Sequence, residues 1–165
     1  WKDAILPLIM SLDEDCRKYA ALAIANLSTE TGTHEKLNHE DVVRHLVPIL
    51  QSEEVQEVII YVMNALGNFA TSSLMWPALQ QLGTVKAAAT FVDQVDREEI
   101  LINALFLLAN LTGDPFQRAL MMKDGLYKVV WQHMTENRNI HVMQNSLALL
   151  RGLAVEAEAQ EILPR

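Results

Sequence analysis

Few residues in this chain could do chemistry, and their spacing decides what each can do. His34-Glu35-Lys36-Leu37-Asn38-His39 comes close to the zinc-protease arrangement, but one extra residue rotates the second imidazole away from the i, i+4 position that chelation needs. The segment reads as a solvated piece of helix. His45, His133 and His141 have no cysteine or carboxylate cluster at ligand spacing, so ordinary surface or core histidines are expected. Cys16 has no histidine near it in sequence and is expected to pack in the core, not to act as a nucleophile. No glycine-rich phosphate loop occurs. No catalytic residue, metal or cofactor is expected, and the chain reads as a non-enzyme.

The remaining polar signal is periodic. Asn26, Asn68 and Asn110 stand at one constant interval, Asn68 midway between the other two, and each is followed by an apolar residue. Asn26-Leu27-Ser28 and Asn110-Leu111-Thr112 also match the glycosylation sequon, but both coincide with this repeated pair, and the structural reading prevails. A side-chain amide carries both donors and an acceptor, so evenly spaced amides can satisfy the unpaired backbone of a strand-like ligand.

Helices must position these amides. Counting from each asparagine, offsets −6, −2 and +1 hold Ala20, Ile24, Leu27; Val62, Leu66, Phe69; and Ala104, Leu108, Leu111. A fourth copy gives Ser146, Leu150 and Leu153, with Gly152 where an asparagine is due. That spacing is i, i+4, i+7, one face of an α-helix, and it is expected to be buried. Offsets −7, −4 and 0 form a second stripe, mixed polar and aromatic: Tyr19, Leu22, Asn26; Tyr61, Asn64, Asn68; Asn103, Phe106, Asn110; and Asn145, Ala148, Gly152.

Two shorter helices precede each long one. Residues 73–82 read as a helix closed by Gly83, with a second over 85–94; residues 115–123 and 126–134 repeat the order around Gly125. Glycine just past a helix end accepts the left-handed conformation, and proline in the first turn sacrifices no hydrogen bond. The loops 52–54, 93–96 and 135–137 supply N-cap candidates and negative charge for the long helices. Residues 1–12 read as a second helix and residues 156–163 as a first.

This order, ending in Ile24-Ala25-Asn26-Leu27-Ser28, Leu66-Gly67-Asn68-Phe69-Ala70, Leu108-Ala109-Asn110-Leu111-Thr112 and the degraded Leu150-Arg151-Gly152-Leu153-Ala154, resembles the armadillo repeat over nearly the whole chain. The resemblance implies an all-α, right-handed superhelical solenoid of about four three-helix repeats, the first and last incomplete. Approximate repeats are 1–30, 31–72, 73–114 and 115–156, with the next beginning at 157–165. The whole is expected to be one array, a fragment of a longer protein, because the segments 4–9 and 161–163 are apolar where terminal repeats of a solenoid carry polar caps.

The resemblance also implies that third helices line a concave side, where the repeated asparagine holds the backbone of an extended peptide. Carried onto this chain, the partner-binding residues are Asn26, Asn68 and Asn110, with Tyr19, Tyr61 and Phe106 as aromatic neighbours and Asn64, Asn103 and Asn145 as further amides. The importin-α signature, a Trp four residues before the Asn, is absent: Leu22, Asn64, Phe106 and Ala148 stand there. Nuclear import by that mechanism is not expected. Lys18 is the one base near the stripe, which also weakens a catenin-like reading.

Of 165 residues, 13 are basic and 21 acidic, a net charge of −8, which excludes nucleic acid as an expected partner because phosphate neutralisation needs clustered Lys and Arg. No apolar run is long enough to span a bilayer. Glu30, Asp114 and Glu156 follow the stripe by four residues, with Ser72 breaking the series, so a basic or neutral peptide or protein segment is the expected partner. The expected location is cytoplasmic, with the nucleus as alternative. The chain is therefore read as a scaffold or adaptor. The alternatives are a structural or oligomerising segment acting through its apolar ends, with end-to-end self-association, or a non-catalytic part of a larger enzyme or regulatory protein.

Overall fold

The computed structural model describes residues 2–39, 41–93 and 97–155, and these form helices and connecting turns with no strand among them. The chain begins with α1 (Lys2–Ile5) and a 3-10 turn (Leu6–Met10), followed by α2 (Glu14–Ser28) and a 3-10 turn (Thr31–Thr33). Then come α3 (His34–His39), α4 (Val42–Leu46), α5 (Ile49–Ser52) and α6 (Gln56–Ala70). The next unit holds α7 (Trp76–Gln81), α8 (Thr84–Ala89) and α9 (Glu98–Leu111); the last holds α10 (Pro115–Lys123), α11 (Leu126–Glu136) and α12 (Ile140–Leu153).

The long helices pack in sequence, α2 on α6, α6 on α9 and α9 on α12, while α5, α8 and α11 each pack behind the long helix of their own unit. Contacts run between neighbours along the stack, the signature of a solenoid. The core includes most of the predicted stripe. Ile24, Val62, Leu66, Phe69, Ala104, Leu108, Leu111 and Leu153 are buried, as are Ala20, Ser146 and Leu150. Leu27 departs from expectation and is 36% exposed. Its counterpart Phe69 is covered by α3, where the His34 ring meets it edge-on at 5.3 Å between centroids. No ring of the described residues lies against Leu27.

Several boundaries move for local reasons. The helix expected over 73–82 starts at Trp76, with Pro77 in its first turn. The one expected over 85–94 ends at Ala89, because the Thr90 hydroxyl donates to Ala87 O at 2.8 Å and the next two amides bond three residues back, tightening the chain out of α geometry. In the 31–72 unit the second helix is split into α4 and α5 around Pro48, whose ring clashes with a preceding carbonyl. The helix expected over 1–12 is not continuous: Lys2–Ile5 is α-helical and Leu6–Met10, through Pro7, is a 3-10 turn. The helix expected over 156–163 lies outside the described residues.

The loops do not cap as predicted. Val55 and Arg97 stand at the N-caps of α6 and α9 without a side-chain bond, while α12 is capped by Asn139, whose side chain accepts from His141 N. Glu53 serves another purpose. It accepts from the Val55 and Glu54 N–H groups and from Arg17 of the preceding long helix, at 2.6 Å from Nε. Burial opposes its ionisation, but Arg17 and the two backbone amides outweigh burial and hold the carboxyl below its ordinary range. A folded-state value below the unfolded one, about 4.3, means that the contribution is full above that value and is lost as pH falls through the folded value. Melting temperature measured against pH should therefore fall on acidification below about pH 4, and less steeply in Glu53→Gln, which is already weaker at neutral pH. Parallel curves for the two proteins would exclude this role.

Gly83 and Gly125 adopt the left-handed conformation between first and second helices, at φ 66° and 71°, as predicted. The third member of the series is Asp41, one repeat interval before Gly83, at φ 53°. No atom lies within 4 Å of a Cβ placed on either glycine, so conformation alone sets the effect of substitution. Gly83→Ala and Gly125→Ala should each lose about 1–2 kcal/mol in urea unfolding. Asp41→Gly should be neutral or gain up to about 1 kcal/mol, since relief of strain is offset by greater chain entropy. A loss at Asp41→Gly equal to those at the glycines would refute the shared turn.

Candidate functional site

The second stripe runs along the side of each long helix that meets its predecessor, and the amides mark the seam. Asn68 Nδ2 donates to Ser28 Oγ at 3.0 Å, Asn110 Nδ2 to Gly67 O at 3.0 Å and Asn145 Nδ2 to Ile102 O at 3.0 Å. Each bond crosses from one long helix to the one before. Such bonds contribute about 0.5–1.5 kcal/mol each, and Gly67 and Ile102 can accept them because a helical carbonyl keeps a second lone pair. Asn103 turns inward on its own helix, donating to Glu99 O at 2.7 Å. Asn26, on the first long helix among the described residues, is exposed, and Asn64 is half-buried.

One N–H of each amide is thus engaged, while the side-chain oxygens of Asn68 and Asn110 accept no hydrogen bond from the described residues. Both side chains are half-buried. Tyr61 and Phe106 are half-buried beside them, and Tyr19 is 63% exposed, with Lys18 Nζ 5.3 Å from its ring centroid. Phe106 lies close against Gly67: a Cβ there would fall 2.5 Å from its Cε1. The glycine is there so that the ring can be.

The missing fourth asparagine has a steric cause. Gly152 sits against Thr112, whose Oγ1 would be 2.0 Å from an added Cβ. At the equivalent seams, Asn68 faces the small hydroxyl of Ser28 and Asn110 follows Ala70, where no hydroxyl exists and the amide reaches Gly67 O instead. The two positions vary as a pair.

A second periodic device was hidden in the sequence by its chemistry. His34 Nε2 bonds Ser28 O at 2.8 Å, Trp76 Nε1 donates to Ala70 O at 2.9 Å, and Arg118 donates to Thr112 O at 2.7 Å. Donors and acceptors both recur at the interval of the asparagines. The final carbonyls of a helix lack intrahelical partners, and each first helix supplies one from a different residue type. Only the common property, a side-chain N–H six residues after the carbonyl it bonds, would have revealed the series. His34 is accordingly buried, at 1% exposure, and not part of a solvated segment.

Asp114 also differs from expectation. It is 2% exposed, caps α10 by accepting from Phe116 N, and accepts from Gln80 Nε2 at 2.6 Å, so it contributes no open acidic margin. Glu30 is exposed; Glu156 lies outside the described residues. Cys16 is half-buried on α2, not in the core. Among the described residues no group of three or more His, Cys, Asp or Glu side chains could hold a metal, and no helix is long and apolar enough to cross a membrane. An open cavity of about 810 Å³, lined by Leu50, Glu54, Lys86, Phe91 and Arg97 among others, lies where the second helices meet, away from the asparagines.

No protein-family model and no curated protein matches the chain. Solved structures do. A computationally designed armadillo repeat protein for modular peptide recognition aligns with 96% of this chain and 67% of its own at TM-score 0.85 and 23% identity. The designed armadillo repeat protein YIII(Dq)4CqI aligns over 90% and 63% at TM-score 0.80 and 24% identity. A related design in complex with peptide (KR)4 aligns over 90% and 62% at TM-score 0.80 and 22% identity. The chain spans less than two thirds of the length of the last two. The fold is that of the armadillo repeat, a right-handed solenoid of about four repeats. Armadillo scaffolds are typically non-catalytic.

The paired positions yield a double-mutant test. Gly152→Asn should lose roughly 1–3 kcal/mol by overpacking, and Thr112→Ala in the same chain should recover at least half of it. Additive losses in chemical denaturation would show that the two side chains do not share this space.

Proposed function

We propose that this chain is a non-catalytic interaction scaffold or adaptor that holds an extended or helical segment of a partner along the face of its long helices. The observation carrying this reading is the pair of unengaged amide oxygens on Asn68 and Asn110, one repeat apart. Both are acceptors, so they suit backbone N–H donors. Packed helices lie roughly 8–10 Å apart and a strand advances about 3.3 Å per residue, so neighbouring amides meet donors about two or three residues apart. In a strand, N–H groups two apart point to the same side, which favours the shorter step. Tyr19, Tyr61 and Phe106 offer ring faces between the amides, while Asn26, Asn64, Asn103 and Asn145 complete the polar row.

The partner segment is basic or neutral. Net charge is −8 and Glu30 is open at the margin, while one of the similar designs carries the peptide (KR)4 in its complex. Exposed ion pairs contribute only about 0–1 kcal/mol each, so charge governs approach more than affinity. The amide-engaged N–H groups favour a second reading, in which the asparagines are inter-repeat fasteners and the array is a spacer.

Titration calorimetry with (KR)4 and with an acidic octapeptide, (DE)4, as control tests the proposal. Asn68→Ala and Asn110→Ala should each weaken (KR)4 binding by about 1–3 kcal/mol. Their stability losses should stay below that of Leu66→Ala, about 2–5 kcal/mol. Unchanged affinity with a large fall in melting temperature would establish the spacer reading, and preference for (DE)4 would overturn the partner class.

A further inference from the structure

Clefts open where successive units meet behind the long helices. Three of them are lined at the interval of the asparagines: Ile49, Phe91 and His133 stand at one place, and Arg17 and Ile59 at another. The first holds about 240 Å³ and the third about 300 Å³, whereas the cleft between α5 and α8 holds about 810 Å³. That middle cleft lies between two interior units, with α2 packed before them and α12 after.

The chain bridges the first and third clefts with its own polar side chains. In the first, Arg17 spans to Glu53 at 2.6 Å and donates to Ser11 O at 2.9 Å. In the third, His133 Nε2 bonds Val92 O at 2.7 Å and Gln132 donates to Glu136 at 2.9 Å. The middle cleft has Ile59 in the place of Arg17 and Phe91 in the place of His133, so neither bridge can form. Its floor is apolar instead, with Leu50, Ile59, Ala87 and Phe91 all buried.

Two cations stand at the rim of this cleft. Lys86 and Arg97 are exposed, and neither has an ion-pair or hydrogen-bond partner among the described residues. Arg44 and Lys128 occupy the place of Lys86 in the neighbouring units, but Arg44 lies 3.4 Å from Asp41 and Lys128 lies 5.8 Å from the Tyr127 ring centroid. Of the acids lining the cleft, Glu53 is committed to Arg17 and two backbone amides, which leaves Glu54. The third cleft is lined by Asp93 and Glu136 and by no Lys or Arg.

We propose that the cleft between α5 and α8 docks an acidic segment of a protein partner through one aromatic side chain, which enters the cavity while the flanking carboxylates meet Lys86 and Arg97. An apolar floor under a few convergent polar groups is the form of a binding pocket, and an aromatic ring brings the largest apolar area to it, about 150–250 Å². The carboxylates alone hold little, because exposed ion pairs are weak. The net charge of −8 opposes an acidic segment at long range, so the two cations decide where it docks and the ring decides whether it stays. The site lies away from the asparagines and does not rest on their role.

Titration calorimetry of the whole chain with DDFDD, the pentapeptide Asp-Asp-Phe-Asp-Asp blocked at both ends, tests this. Affinity should fall at least about tenfold when the phenylalanine of the peptide is replaced by alanine, and about tenfold in Lys86→Glu with Arg97→Glu. Gln51→Trp, which sets a ring of the chain's own into the cavity, should abolish binding with both cations in place. Gln51, Lys86 and Arg97 are exposed, so circular-dichroism melts of these variants should match the unmodified chain. Asn68→Ala with Asn110→Ala should leave the affinity for DDFDD unchanged, and (DE)4, which has no ring, should bind no better than the alanine peptide. The inference is overturned if DDFDD does not bind, if the alanine peptide or (DE)4 binds equally well, or if Gln51→Trp or the two charge reversals leave the affinity intact. Loss of DDFDD binding in the asparagine variants also overturns it, because the peptide would then sit on the long helices.

Discussion

A helix has carbonyls at its end with no partner inside it, and this fold is organised around supplying them from the next repeat. His34, Trp76 and Arg118 each reach back to the carbonyl at the same place, that of Ser28, Ala70 and Thr112. The bond ties the end of one unit to the first helix of the next. Everything else in the joint is measured from there. Because these three side chains are half-buried or buried, the bond is made where water competes poorly. A unit separated from its successor therefore loses both apolar cover and a carbonyl partner, and the stack is held by nearest-neighbour terms.

The asparagines belong to the same joint, which changes what they can offer a ligand. An amide free in solvent presents two donors and an acceptor. Asn68 and Asn110 are fastened through one N–H, which orients the group and leaves the oxygen available. Such fixing reduces the rotamer entropy that binding must otherwise overcome. The structural bond and the proposed binding contact are then two ends of one group, and a substitution to alanine removes both. For that reason affinity and stability must be read on the same variants.

How far the fold was legible depended on whether repeated positions shared a residue type or only a property. The apolar stripe through Ile24, Leu66 and Leu108 repeats in kind and was readable, apart from Leu27, which lacks the ring that His34 sets against Phe69. Gly83 and Gly125 were readable; Asp41 was not, because its left-handed backbone comes from a residue whose side chain merely tolerates that region. The His34, Trp76 and Arg118 series was opaque, since an imidazole, an indole and a guanidinium share nothing but an N–H. Asp114 misled in the opposite way. Its type suggested an open charge, while its position at the start of α10 directs its oxygens to Phe116 N and Gln80. The interval identified the candidate stripe, but no single helix shows which N–H of an amide crosses to its neighbour.

The seams obey the same distinction between type and property, now across two positions at once. The three pairs are Ser28 with Asn68, Ala70 with Asn110, and Thr112 with Gly152. A branched side chain on one side is met by no side chain on the other, and a small residue by an amide. Each seam holds a bulky side chain on one side only while its polarity changes, as expected where close packing leaves no room for bulk on both sides. The apparent decay of the asparagine signature at Gly152 is therefore a local exchange with Thr112 and not a loosening of the array. It has a consequence for recognition: the amide row ends at Asn110 on this chain because the last seam is filled from the neighbouring side. Where an amide can stand in this row is set by which partner of each pair supplies the bulk, so the reach of the proposed binding row follows from packing between repeats.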